Sequence, residues 1–397
     1  MIKLFKRKEE CCACTACKSI CPVDAIKMIA DEEGFLYPQI NSLLCTECGF
    51  CKKVCAFQNG YDIANNFSEP IVYAMKHKSD EVRMNSSSGG AFTAISDYIL
   101  KDKKGVVYGA AYSENFSVIH QRTETADNRD RFRGSKYVQS DLMDTFKDIN
   151  TDLNKGKYVL FSGTGCQVAG LNSYLAEQGA DVSRLLTVDL ICHGTPSPLL
   201  WQDYLSYIQK KSRLNYYTFR SKECGWRGYN VLAKFEDGKQ IINTPKIKLF
   251  ANLFGSNLAL RPACYECKYA NTKRPGDITI GDFWGIEKSL PELDDNKGIS
   301  LLYINNDKCT ELLKYTRINA DIVISNVNES LQYNLIQPTV CPINRKNFWQ
   351  DYYRHGFSCI AKIYGGISLK TYIKRVAAWL LRRLNLYDNV KKIFGKS

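Results

Sequence analysis

The chain has 397 residues, enough for two or three domains with cores of their own. Its 45% hydrophobic and 24% charged residues are those of an ordinary soluble globular protein. The formal net charge of +13 raises nucleic acid as a ligand, but the basic residues are dispersed and no nucleic-acid motif accompanies them, so that class is excluded; an acidic redox partner suits such a surface better.

The first ten residues are basic and run directly into cysteine, with no apolar core or small-residue cleavage site, so no secretion signal is expected. No apolar run approaches the roughly eighteen residues of a membrane span. With 17 cysteines and no secretion signal, the expectation is a reducing cytoplasm and metal ligation rather than disulfides.

Nine of the 17 cysteines fall within the first 55 residues, in two runs of the form C-x2-C-x2-C-x3-C plus Cys12. The runs are Cys11, Cys14, Cys17, Cys21 before Pro22, and Cys45, Cys48, Cys51, Cys55 before Ala56. In the bacterial two-cluster ferredoxin pattern, three cysteines of one run and the last of the other hold each [4Fe–4S] cube. That pairs Cys11, Cys14, Cys17 with Cys55, and Cys45, Cys48, Cys51 with Cys21. Zinc needs only two C-x2-C pairs and gives no reason for the trailing C-x3-C. Cys12 lies outside the pattern and reads as a spare.

Residues 1–62 thus form a small α+β ferredoxin-type domain, with short strands expected at 24–29 and 35–40 around a Glu33-Gly34 turn. A polar linker over 58–69 leads to a strand at 71–76. Ser86-Ser87-Ser88-Gly89-Gly90 then opens a helix over 91–100, on which Phe92, Ile95 and Ile99 share a side. Such a turn presents backbone N–H groups that favour a phosphate, although local evidence favours a capped ordinary helix and no GxGxxG is present. Strands follow at 105–112 and near 118–120. The basic loop Arg129, Arg131, Arg133, Lys136 either holds phosphates or faces water.

Two units then repeat a strand, a loop with a cysteine, and a helix: 158–162 leading to Cys166, and 185–191 leading to Cys192. Alternating strands and helices imply an α/β domain with a mixed or parallel sheet, where ligands gather at the carboxyl ends of strands. Antiparallel strands are expected over 216–242. The pair Cys264 and Cys267 precedes Gly281-Asp282-Phe283-Trp284. With Cys166 and Cys192 it makes four thiolates, the number a third [4Fe–4S] cluster needs. Buried structural cysteines, a redox pair and half a zinc site remain open at this point. His193 and Asp282 are the candidate acid–base residues, with loop orientation the competing role for His193. Cys224, Cys309, Cys341 and Cys359 have no partner by spacing.

From Gly366 onward the chain is basic, with Leu369, Tyr372, Ile373, Val376, Trp379, Leu380, Leu384 and Tyr387 on one side of a helix. Residues 346–397 are therefore expected to be a helical tail, packed on the domain or a partner subunit, or lying at the inner membrane face.

These pieces resemble the beta-subunit family of coenzyme F420 hydrogenases and dehydrogenases over roughly residues 1–345. The similarity lies in Ser88-Gly89-Gly90, Gly134-Ser135-Lys136-Tyr137-Val138-Gln139-Ser140, Gly163-Thr164-Gly165-Cys166-Gln167, Cys192-His193-Gly194-Thr195-Pro196-Ser197, the Cys264–Cys267 pair and Gly281-Asp282-Phe283-Trp284. The family includes bacterial proteins with a fused two-cluster ferredoxin module and a plant chlorophyll-pathway reductase. The resemblance implies that the domain at 70–345 holds FAD beside an additional [4Fe–4S] cluster. It makes Ser88, Gly89, Gly90 and Lys136 flavin-site candidates, and Cys166, Cys192, Cys264 and Cys267 cluster ligands. It implies an oxidoreductase passing electrons between clusters, FAD and an organic substrate or deazaflavin, or else an electron-transfer subunit whose substrate chemistry lies on a partner. A ferredoxin or other redox protein is the expected partner, with a homo-oligomer and membrane contact through the tail left open.

Overall fold

The computed structural model describes residues 2–366. The expected hairpin forms: β1 (Ile26–Ala30) runs antiparallel to β2 (Leu36–Ile40), with Ile26 opposite Ile40 and Ala30 opposite Leu36. Gly34 turns the chain at φ +81°, and a Cβ there would stand 2.3 Å from the Cβ of Leu199. Only glycine allows the hairpin to seat that closely on the main domain.

The main domain carries β3 (Ile71–His77), β4 (Val106–Tyr112), β5 (Val118–Thr123), β6 (Val159–Thr164) and β7 (Leu185–Leu190). A separate antiparallel sheet follows, made of β8 (Leu214–Ser221), β9 (Asn230–Phe235) and β10 (Gln240–Ile242). The chain then returns with β11 (Ile278–Asp282), β12 (Ser300–Ile304) and β13 (Ala320–Ser325). The resulting eight-stranded sheet has the order β13-β3-β12-β11-β7-β6-β4-β5. Its centre, β11-β7-β6-β4, is parallel; both flanks are antiparallel. This is the α/β domain expected from the repeated strand–helix units.

Strand β6 shows why its sequence is continuously apolar. Val159 and Phe161 pack on one face with Phe146, Val168, Leu171 and Tyr174, whereas Leu160 packs on the other with Ala91, Ile95 and Leu186. A central parallel strand is covered on both sides, so no polar alternation survives. The helix expected over 91–100 is α-helical at Ala91–Asp97 and continues as a π-helical turn at Tyr98–Asp102.

The N-terminal module shares the first of these cores. Cys12, Cys14, Ala16, Ile20, Val54 and Phe57 pack with the helices Thr145–Asn154 and Gly165–Glu177. Two arginines fasten it. Arg261, 1% exposed, donates to the carbonyls of Cys11 (2.8 Å) and Leu36 (3.0 Å) and to Gln139 Oε1 (3.0 Å). Arg345 forms a two-point pair with the Glu33 carboxylate. The module is built into the larger domain through this shared core, while the 58–69 connection expected as a linker carries no buried residue.

A further core joins β8–β10 to the helices Pro198–Ile208, Pro245–Gly255 and Arg345–Ile363, the last contributing Phe348, Trp349 and Ile360. The expected boundary at 346 therefore falls inside a packed helix. The amphipathic stretch from Leu369 to Tyr387 lies outside the described residues. No helix among the described residues is long and apolar enough to cross a membrane.

Candidate functional site

The two N-terminal cysteine runs wind alike. Ala13 (φ +58°) and Thr15 (φ +64°) flank Cys14, and Glu47 (φ +56°) and Gly49 (φ +81°) occupy the matching places around Cys48. Left-handed residues on either side of the middle cysteine curl each loop; three of the four carry a Cβ, a conformation non-glycine residues seldom adopt. A short helix then carries the third cysteine of each run, at Ala16–Ser19 and Phe50–Lys53.

Cys17 lies among Cys11, Cys14 and Cys55, and Cys55 faces Cys14 and Cys11 in return. Cys21, Cys45, Cys48 and Cys51 line one cavity together with Ala25, Ile26 and Ile40. Each group of four thus draws one cysteine from the opposite run. Burial drives the Cys17 thiol well up and Cys55 up to about 11. Cys51 and Cys17 also lie close enough to repel as thiolates, so the two groups are neighbours. The second is the outer one: Cys48 is exposed, and Phe50, which lines the same cavity, is 40% exposed. Ala25 N–H donates to Cys21 Sγ at 3.2 Å.

A third group assembles at the carboxyl ends of β6 and β7. Cys166, Cys192, Cys264 and Cys267 line a single cavity with Cys12, Gln139, His193, Thr195, Arg261 and Tyr269. Cys166 is not in the preceding loop, as expected, but in the first turn of the helix Gly165–Glu177, which Thr164 and Gln167 cap reciprocally. A helix N-terminus favours a thiolate. Hydrogen bonds from Cys12 and then Thr164 hold Cys166 down at about 7 despite burial. Burial pushes Cys192 well up and Cys267 to about 12. Thr195 N–H reaches Cys264 Sγ at 3.4 Å. The walls are tied by the buried pair Arg274–Asp189 (2.7 Å), which joins β7 before Cys192 to the loop after Cys267. Among the described residues no three ligand-type side chains converge on a point as one metal ion requires. The four thiols line one cavity, a space that suits a polynuclear group.

The acid–base candidates are engaged. His193 meets Asn257 Oδ1 at 2.6 Å and sets its ring edge-on to Phe254, tying the Cys192 loop to the segment before Cys264. Asp282 accepts from Arg220 (2.8 and 3.4 Å) and from Trp226 Nε1 (2.8 Å).

The flavin candidates have their side chains and α-carbons set against the protein, which leaves backbone groups as what they could offer a ligand. Ser88 Oγ donates to the Ile299 carbonyl at 2.7 Å. A Cβ on Gly89 would stand 2.2 Å from the Met75 carbonyl oxygen, and Gly90 takes φ +93° beneath His77. Lys136 turns back on its own loop, its ammonium on the carbonyls of Phe132, Arg133 and Gly134 at 3.0–3.2 Å, and burial holds it at about 7. That loop meets the serine turn where Ser135 N–H donates to Ser87 Oγ (2.8 Å), beside Arg220 and Tyr137.

Sequence reasoning missed Cys12, which faces Cys14 and Cys166, and Gly170, whose missing side chain makes room for Cys14. It also missed Arg261 and Arg274. The one available signal was Cys12 itself, a cysteine next to a ligand pattern in a chain that spends cysteines on ligands. Cys224 and Cys341 are exposed and Cys309 is buried, none lining the three groups.

Residues 156–330 match the family described as the C terminus of the coenzyme F420 hydrogenase/dehydrogenase beta subunit. The chain is 22% identical over 190 residues to the F subunit of the F(420)H(2) dehydrogenase from Methanosarcina mazei, a match covering 46% of this chain and 53% of that one. The chain thus spans about half the length of that curated relative. A chain of the F420-reducing [NiFe] hydrogenase complex from Methanosarcina barkeri superposes with a TM-score of 0.46 at 15% identity, covering 74% of this chain and 91% of that one.

Proposed function

We propose that this chain, whose residues 156–330 match the coenzyme F420 hydrogenase/dehydrogenase beta-subunit family, is an iron–sulfur flavoprotein oxidoreductase of that family. It exchanges electrons between a ferredoxin or other redox protein and an organic substrate or deazaflavin. The observation that carries this reading is three neighbouring groups of four cysteines, Cys51 near Cys17 and Cys12 between Cys14 and Cys166. When bound, the clusters would supply one-electron exchange and the flavin two-electron exchange.

Cys11, Cys14, Cys17 and Cys55 would hold one cluster; Cys21, Cys45, Cys48 and Cys51 the second; Cys166, Cys192, Cys264 and Cys267 the third. The exposed second group is where a protein partner can approach. The first and third groups have no exposed cysteine, and Arg261, Phe57 and Tyr269 line the cavity of the third. The Arg274–Asp189 pair and the His193–Asn257 hydrogen bond hold the loops that carry the third group. Ser88, Gly89 and Gly90 would hold FAD through their backbone, with Lys136 shaping the facing loop.

Purification without oxygen followed by iron, sulfide and flavin analysis tests the reading. The expected result is about twelve irons and one FAD per chain, from three cubes of four irons. Pale material with zinc and no flavin overturns it. A second reading, an electron-transfer subunit whose substrate chemistry lies on a partner, is favoured by the relative's being named as one subunit of a dehydrogenase. Stable co-elution with a larger catalytic chain on size exclusion would select it.

A further inference from the structure

Cys12 belongs to none of the three groups of four, yet it is among the best-placed sulfurs in the molecule. It is 7% exposed, and its carbonyl accepts from Gln139 Nε2 at 3.2 Å while the preceding carbonyl, of Cys11, accepts from Arg261 at 2.8 Å. The backbone pinned at these two points turns the Cys12 side chain into the cavity lined by Cys166, Cys192, Cys264 and Cys267. Its sulfur lies in hydrogen-bonding reach of Cys14 in the first group and Cys166 in the third. The two groups approach here because Gly170, one turn beyond Cys166 on the same helix, lets the Cys14 sulfur press against that helix.

We propose that Cys12 is a positioning residue: a non-ligating thiol between the first and third cysteine groups whose S–H donates to the ligand sulfur of Cys14 or Cys166 and so sets the reduction potentials of the clusters they hold. This rests on the reading that both groups hold iron–sulfur clusters. Each group has its four ligands without Cys12, so no coordination site calls for a fifth sulfur. Left out of coordination, Cys12 keeps its side chain in the cavity beside Cys166. A thiol in the same place has a proton to donate and two acceptors for it. Hydrogen bonds to ligand sulfur are a lever on cluster potential: they draw off negative charge and favour the reduced state.

The test uses the full chain, purified without oxygen, with iron and sulfide analysis and redox titration followed by electron paramagnetic resonance. Cys12→Ala is expected to keep wild-type iron while the midpoint of at least one cluster moves negative. The expected shift changes the oxidised-to-reduced ratio at fixed potential by about tenfold, or about 59 mV for one electron. Cys12→Ser, which retains an O–H donor, is expected to recover at least half of that shift. Unmoved potentials at full iron in Cys12→Ala overturn the proposal and leave Cys12 as packing. Loss of about four irons overturns it in the other direction, by making Cys12 a ligand. Equal shifts in the two variants overturn the donor role, since packing alone would then account for them. Wild-type protein without iron is a separate failure, that of the underlying reading, and it removes this inference as well.

Discussion

His120, on β5, has its ring stacked on Phe161 and its Nε2 3.1 Å from the Ser162 carbonyl. A carbonyl only accepts, so Nε2 carries the proton; Nδ1 is buried without a partner among the described residues. A second proton would put a charge where nothing balances it, and burial accordingly lowers the pKa to about 4. The unfolded chain takes up that proton near 6.5, so as pH falls below about 6.5 the unfolded state binds more protons and stability drops until about pH 4. Integrated over that window the loss is on the order of 3 kcal/mol. Unfolding midpoints measured from pH 7.5 to pH 4.5 should fall less steeply in His120→Phe than in wild type; identical slopes would show that this ring does not set the acid limit. The same logic separates the charged candidates. Lys136 and Asp282 are spent on the fold, one on three carbonyls and the other on Arg220 and Trp226. Residue type alone cannot distinguish a charge aimed at a ligand from one aimed at the backbone.

At the scale of elements, what could be read locally was read. The C-x2-C-x2-C-x3-C spacing determines how each loop curls, and Glu33-Gly34 between two short apolar runs specifies a hairpin. The two strand–cysteine–helix units place Cys166 and Cys192 at one end of a parallel sheet because β6 and β7 pair directly. The remainder depends on contacts between distant parts of the chain. Arg261 serves residues 11, 36 and 139, and no sequence window contains all of them. Helix Gly165–Glu177 shows how one position answers to two demands. Gly170 costs that helix roughly 0.5–1 kcal/mol relative to alanine. A methyl group there would lie 2.7 Å from both the Cβ and the Sγ of Cys14, and overpacking of that kind costs about 1–3 kcal/mol. The clash outweighs the helix gain. Gly170→Ala is therefore expected to lower the melting temperature and to lose about four irons per chain while far-ultraviolet circular dichroism stays unchanged. A more stable variant with full iron would show that the Cys14 loop yields to the methyl group.

For the molecule as a whole, the question is whether the N-terminal module is an attached domain or part of a common core. Its apolar residues continue the core beneath the Gly165–Glu177 helix, and its polar contacts converge on Arg261, which also stacks over Tyr37 at 4.2 Å. Removing that side chain would take the arginine donor from three partly buried acceptors, on Cys11, Leu36 and Gln139. Each such loss costs about 1–3 kcal/mol, so Arg261→Met is expected to destabilise by about 3 kcal/mol or more. Arg261→Lys should recover little of it, because one ammonium cannot span the fork that a guanidinium presents to three separated oxygens. Limited proteolysis gives the architectural readout. Wild-type protein cut between residues 58 and 69 should keep both fragments together on size exclusion, whereas Arg261→Met should be cut faster and release the N-terminal fragment. If the variant keeps both its melting temperature and its fragments, the apolar contacts of Cys12, Cys14, Ile20 and Phe57 are sufficient to hold the module, and Arg261 serves only to line the third cysteine group.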